Sequence, residues 1–163
     1  MKKRSKYRPR PIMQNPVEFV LSGLKPVRDL KGIYLSVQLK NRQALESVRT
    51  GNATREDIDI LIGAFNITEA LALNGYGGDW LEEIKQGQEA LLTLSRRGVE
   101  RGMRFIMTAK EWELLKLIMD LHEEQLCNVT VYDIEKAHDL VAKTLRQGKA
   151  QAVLTTAQKG ELQ

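Results

Sequence analysis

A chain of 163 residues, 42% hydrophobic and 28% charged, has enough apolar material for one compact domain with a real core. Its single cysteine, Cys127, excludes an intramolecular disulfide and suits a reducing compartment, and no apolar run reaches the roughly 18 to 20 residues needed to cross a bilayer. The net charge of +4 is uneven: residues 1–10 hold six basic residues and no acid, so the rest carries 25 − 6 = 19 basic against 21 acidic residues, a net of −2.

Residues 1–15 read as an extended basic arm. Lys2, Lys3, Arg4, Lys6, Arg8 and Arg10 supply its charge, and Tyr7 adds one aromatic ring. Pro9 and Pro11 bar a helix and hold the residues before them extended. The basic stretch lacks the apolar segment of a signal peptide, which predicts a cytoplasmic protein with no membrane partner. Asn15-Pro16 reads as a helix start, with Asn15 as the N-cap, and Lys25-Pro26 as the end of a short helix over Val17–Leu24.

A second helix is expected over Arg28–Arg49, before Thr50-Gly51-Asn52. Four more starts follow: Thr54 places a capping hydroxyl before Glu56-Asp57 in the first turn, Asp79 ahead of Glu82 and Thr108 ahead of Glu111 have capping-box spacing, and Thr130-Val131-Tyr132-Asp133 is the fourth. Apolar residues recur at three- and four-residue steps behind each: Ile58, Leu61, Ile62 and Phe65; Leu81, Ile84, Leu91 and Leu92; Trp112, Leu115, Ile118 and Met119; Ile134, Ala137, Val141 and Leu145. Gly75, Gly77-Gly78, Gly98 or Gly102, and Gly148 stand where these helices should stop. Leu114, Leu117 and Leu121 widen the apolar face of the helix from 109, which predicts a helix central in a bundle or buried in an oligomer. Helices over 109–127 and 131–147 should be antiparallel neighbours across a short turn. Met103–Met107 reads as an extended connector packing Phe105 and Ile106 on the body. The fold class is therefore all-α: a basic arm at 1–15, one bundle of five or six helices at 16–148, and a weakly structured tail at 149–163.

Catalytic signatures do not emerge. His122 and His138 each fall on an apolar helical face and read as semi-buried rings, each satisfied by a hydrogen bond. Neither forms paired-ligand spacing with Cys127. His122-Glu123-Glu124-Gln125 stops short of a zinc-protease motif because position 126 is Leu. Gly75-Tyr76-Gly77-Gly78-Asp79 lacks the Lys-Ser/Thr of a phosphate loop, and a tight interhelical turn explains it. No catalytic residue, metal or cofactor is expected. Arg96, Arg97, Arg101 and Arg104 form a second basic cluster at a helix end, where cations also suit the helix dipole. They are candidates for a secondary anion contact.

The head ending Lys6-Tyr7-Arg8-Pro9-Arg10-Pro11, the stretch Ala64–Ala72, the segment Glu89-Ala90-Leu91 and the run Leu121–Leu126 resemble small uncharacterised helical proteins of tailed phages and prophages of proteobacteria. The resemblance implies expression in the host bacterial cytoplasm and an accessory role in DNA transactions or in blocking a host defence system. It assigns no site residues.

Three functional expectations follow. The first is a non-enzymatic accessory protein whose arm engages nucleic acid or a nucleic-acid-handling complex, the cations neutralising phosphate and Tyr7 stacking on a base. The second is a protein-binding inhibitor of a host defence system or an oligomeric accessory protein, supported by the wide apolar stripes, with the arm meeting an acidic protein surface or a sister subunit. The third is a binder of a small anionic ligand such as a nucleotide, using Arg96, Arg97, Arg101 or Arg104.

Overall fold

The computed structural model describes residues 16–148; the arm at 1–15 and the tail at 149–163 lie outside the described residues. Six helices follow in order: α1 (Pro16–Gly23), α2 (Lys31–Arg49), α3 (Arg55–Leu73), α4 (Leu81–Glu100), α5 (Ala109–Asn128) and α6 (Val131–Arg146). Among the described residues there is no strand, only an isolated antiparallel pairing of Pro26 with Thr130. The fold is an all-α bundle.

Three of the expected helix starts form reciprocal caps. Thr54, Thr108 and Thr130 each accept the backbone N–H of the acid three residues on, and the carboxylates of Asp57, Glu111 and Asp133 accept the threonine N–H in return. Each cap satisfies two amides that the helix itself leaves without partners. The Asp133 carboxylate also accepts the hydroxyl of Tyr76 at 2.8 Å. Thr130→Ala is therefore expected to cost about 1 kcal/mol of unfolding free energy, measured by urea titration.

Two starts differ from expectation. The helix expected from Arg28 begins at Lys31, because Val27–Asp29 wind into a 3-10 turn after Pro26 and the N–H of Val27 is held by the Val129 carbonyl at 3.0 Å. The Asp79 cap does not form. Gly77 takes a left-handed conformation (φ 88°), Gly78–Trp80 form a second 3-10 turn, and α4 starts at Leu81 with no side-chain cap.

α3 is the hub of the bundle and packs against α2, α4, α5 and α6. Leu45 and Val48 of α2, Ile58, Leu61 and Phe65 of α3, Ile84, Leu91 and Leu94 of α4, and Leu115, Ile118 and Met119 of α5 close one core. A smaller core joins Ala70 and Leu71 to Leu126, Val129 and Ala137. α5 is central, touched by α2, α3 and α4, and its wide apolar band is partly used: Leu114 and Leu121 are half-buried, while Leu117 stays exposed. α6 does not run along α5 as expected; it lays its apolar face on α3.

α4 carries glycine inside the helix at positions 87 and 98, eleven residues and about three turns apart, so both lie on one face. A Cβ at Gly87 would stand 2.6 Å from Cγ1 of Ile118, and one at Gly98 would overlap the Phe105 ring. The helix therefore runs through Gly98 and stops at Glu100, where Gly102 and Met103 both turn left-handed. The connector that follows buries Phe105 but leaves Ile106 exposed, so only half of its expected packing occurs.

Candidate docking site

The buried polar groups serve the fold. The His122 ring is 3% exposed, with Nδ1 at 3.0 Å from Thr68 Oγ1. The Thr68 hydroxyl donates to the Ala64 carbonyl, so the histidine Nδ1–H donates to the hydroxyl oxygen. Burial pushes the His122 pKa down to about 4. Gln125 donates to the carbonyls of Thr68 and Tyr76, at 3.1 and 2.7 Å, and ties α5 to the end of α3. His138 corrects the expectation of a second semi-buried ring. The buried face of α6 centres on Ala137, and the next position, about 100° around the helix, is exposed.

Cys127 lies on the α2–α5 contact, where the Tyr34 hydroxyl stands 2.9 Å from its sulfur and accepts from Gln38 at 2.8 Å. The hydrogen bond to Cys127, with burial and nearby negative charge, pushes Tyr34 up to about 12. Arg42 of α2 reaches Glu123 and Asp120 of α5 on the same side. Among the described residues no group of three or more His, Cys, Asp or Glu side chains is placed to hold a metal ion, and no helix is long and apolar enough to cross a membrane.

The arginine cluster divides. Arg97 donates through both terminal nitrogens to Glu111, at 2.9 and 2.7 Å, and also to the Ile106 carbonyl at 2.8 Å. Burial works to raise the Glu111 carboxyl, but the bonds from Arg97 and from Thr108 outweigh it and hold it below its ordinary value. Arg97 thus fastens the connector to the start of α5. Arg96, Arg101 and Arg104 remain exposed. The arm candidates Lys2, Lys3, Arg4, Lys6, Tyr7, Arg8 and Arg10 lie outside the described residues.

What does stand out is apolar surface left to solvent near the arm. On α1 and just beyond it, Val17, Val20, Leu21 and Leu24 fall at i, i+3, i+4 and i+7, a single helical stripe, and the last three are 58–59% exposed. On the first half of α2, Ile33, Leu35, Val37 and Leu39 are also exposed. Tyr34 and Gln38 are the half-buried residues of that stretch.

A second apolar surface is concave. Between α4 and the end of α6, over α3, lies a groove of about 670 Å³. Its floor includes Phe65, and its walls carry Leu73, Leu92, Val99, Val141 and Leu145. Gln88 crosses it, donating to Asn66 at 3.2 Å and to Glu69 at 3.0 Å. Asp59, Glu69 and Glu89 line it against Arg55 and Lys85. The stretch that supplies its α3 and α4 lining is acidic overall: residues 55–99 have eight acidic and four basic residues, a net of −4.

The α1 stripe is written in the sequence, since its spacing is local. The groove is not, because it depends on α6 choosing α3 as its neighbour and leaving the α4 flank open. The exposed Leu73 and Leu145 are its only local trace. No family model, no curated protein and no solved structure matches this chain.

Proposed function

We propose that this chain is a non-enzymatic helical accessory protein that binds a protein partner through its N-terminal segment. The observation that carries the reading is the exposed apolar side chains of α1 and the first half of α2: Val17, Val20, Leu21, Leu24, Ile33, Leu35, Val37 and Leu39. The α1 residues share one stripe, and exposed apolar patches of that kind mark interaction surfaces. The six cations of residues 1–10 adjoin it in the chain, so the partner is one that presents an apolar acceptor groove edged with acid.

A photo-cross-linking residue placed at position 21 or 35 of the full chain, in cells that express it, tests this. Discrete adducts are expected from both positions and none from the exposed position 116 of α5. Equal labelling at all three, or none, removes the reading. A second reading, contact of the arm with nucleic-acid phosphate, is favoured by the same six cations. It requires binding that weakens steeply with salt and disappears when residues 1–10 are deleted.

A further inference from the structure

We infer that the acceptor is a second copy of this chain: the arm and α1 of each protomer dock on the α3–α4–α6 groove of the other, in a reciprocal exchange that closes a dimer. The inference rests on the partner-binding reading above and specifies its partner.

Spacing is the first support. A helix that lies in a groove presents anchors at i, i+3, i+4 and i+7, the pattern of Val17, Val20, Leu21 and Leu24. The groove, at about 670 Å³, is large enough to receive several such side chains, and Leu73, Leu92, Val99, Val141 and Leu145 give it apolar walls between its charged residues. Charge is the second. The arm contributes +6 within ten residues, and the groove is lined by the carboxylates of Asp59, Glu69 and Glu89 against Arg55 and Lys85. Because the arm precedes α1 in the chain, a stripe seated with its N-terminal end toward Asp59, Glu69 and Glu89 carries the cations to those carboxylates. Matched potentials of this kind set orientation and encounter rate, and they weaken with salt.

The third support is placement. A Cβ on Gly23, at the end of α1, would stand 3.7 Å from Cβ of Tyr132 in the first turn of α6, while the groove is lined by Leu140, Val141, Thr144 and Leu145. Those lie about 12–20 Å further along the α6 axis, at 1.5 Å per residue. Within one chain the stripe faces solvent and the groove lies elsewhere. Each protomer thus offers one insert and one acceptor, and two copies satisfy both when the exchange is mutual.

Sedimentation velocity on the full chain, across a range of concentration and salt, tests the inference. A dimer that dissociates as salt rises is expected. Leu21→Glu, on the insert, and Leu145→Glu, on the acceptor, should each weaken it at least about tenfold, as a charge placed at an apolar anchor does. Both residues are exposed, so both variants should keep the helical circular dichroism of the parent. Leu24→Asp and Leu73→Glu serve in their place if either does not. The decisive sample is a mixture of the two variants. One retains a sound groove and the other a sound insert, so mixing should recover a dimer that neither forms alone. A monomer under all conditions overturns the inference. So does a dimer indifferent to Leu145→Glu, or a mixture that stays monomeric. Cross-links from positions 21 and 35 would survive all three results, and the partner-binding reading would stand with a different partner.

Discussion

Replacing Gly98 with valine is expected to lower the unfolding free energy by about 3 kcal/mol, read from urea denaturation at neutral pH. The position is helical, and a side chain there gains up to about 1 kcal/mol in intrinsic propensity over glycine. That gain is outweighed because the new Cβ would enter the Phe105 ring, which is buried and closes one end of the core. The ring cannot retreat without opening a void among its neighbours or moving the connector that Arg97 fastens to Glu111. Gly63 supplies the opposite sign. It is also inside a helix, but nothing lies within 4 Å of its missing Cβ, so Gly63→Ala should raise stability by about 0.5–1 kcal/mol. The close approach also predicts coupling. In a double-mutant cycle, Phe105→Leu should relieve much of the cost of Gly98→Ala, so the double variant is more stable than the two single effects imply. A Gly98→Val protein as stable as its parent would sink this account.

Lowering the pH from 7 to 4 should cost the bundle about 3 kcal/mol through His122 alone. The ring titrates near 6.5 when the chain is unfolded and at about 4 in the fold, because burial disfavours its cation. Between those values the unfolded chain binds a proton that the folded chain refuses, so stability rises with pH across that window. The contribution is complete above about pH 6.5 and is lost as pH falls through about 4. At 1.36 kcal/mol per pH unit, the gap between 6.5 and about 4 gives the stated magnitude. Glu111 and Asp133 are both held below their ordinary values, so their contributions are full at neutral pH, begin to fade as pH enters the ordinary carboxylate range and are gone only below their folded values. Urea unfolding at pH 7, 5.5 and 4.5 separates the two regimes. His122→Gln should be less stable at pH 7 yet flatter between pH 6.5 and 4.5; an unchanged slope in that variant would assign the pH dependence elsewhere.

What could be read from the chain beforehand was what depends on near neighbours in sequence. Thr54, Thr108 and Thr130 announce their helices because the capping bond spans three residues and needs no tertiary partner. Asp79 has the same spacing to Glu82, but the left-handed Gly77 and the 3-10 turn after it carry the chain past Asp79 before the helix begins. The two histidines make the same point about faces. Both fit an apolar period, yet His122 faces Thr68 across α3 and α5, while α6 turns Ala137 inward and leaves His138 outside. Periodicity places a residue on a stripe; the neighbouring helix decides which edge of the stripe is covered. Arg97 shows this for the candidate sites. Its cluster was visible, but its bidentate pairing with Glu111 depends on how the connector folds back. The groove needed the whole arrangement of α3, α4 and α6 to be seen at all.

The pairing of Pro26 with Thr130 also sets a path for mechanical load. Two main-chain bonds make the splice: Val27 N–H to the Val129 carbonyl and Val131 N–H to the Lys25 carbonyl, both 3.0 Å. They join segments about a hundred residues apart, at the point where α1 leaves the bundle and α6 begins. Tension applied to the N-terminal end therefore meets this splice, at the start of α6, before the chain carries it on into α2 and the large core. A partner that pulls on the N-terminus would strip α1 from the surface first, leaving α3 and its neighbours intact. The amides of Val27 and Val131 would report that detachment, exchanging with solvent well before those of the central helices.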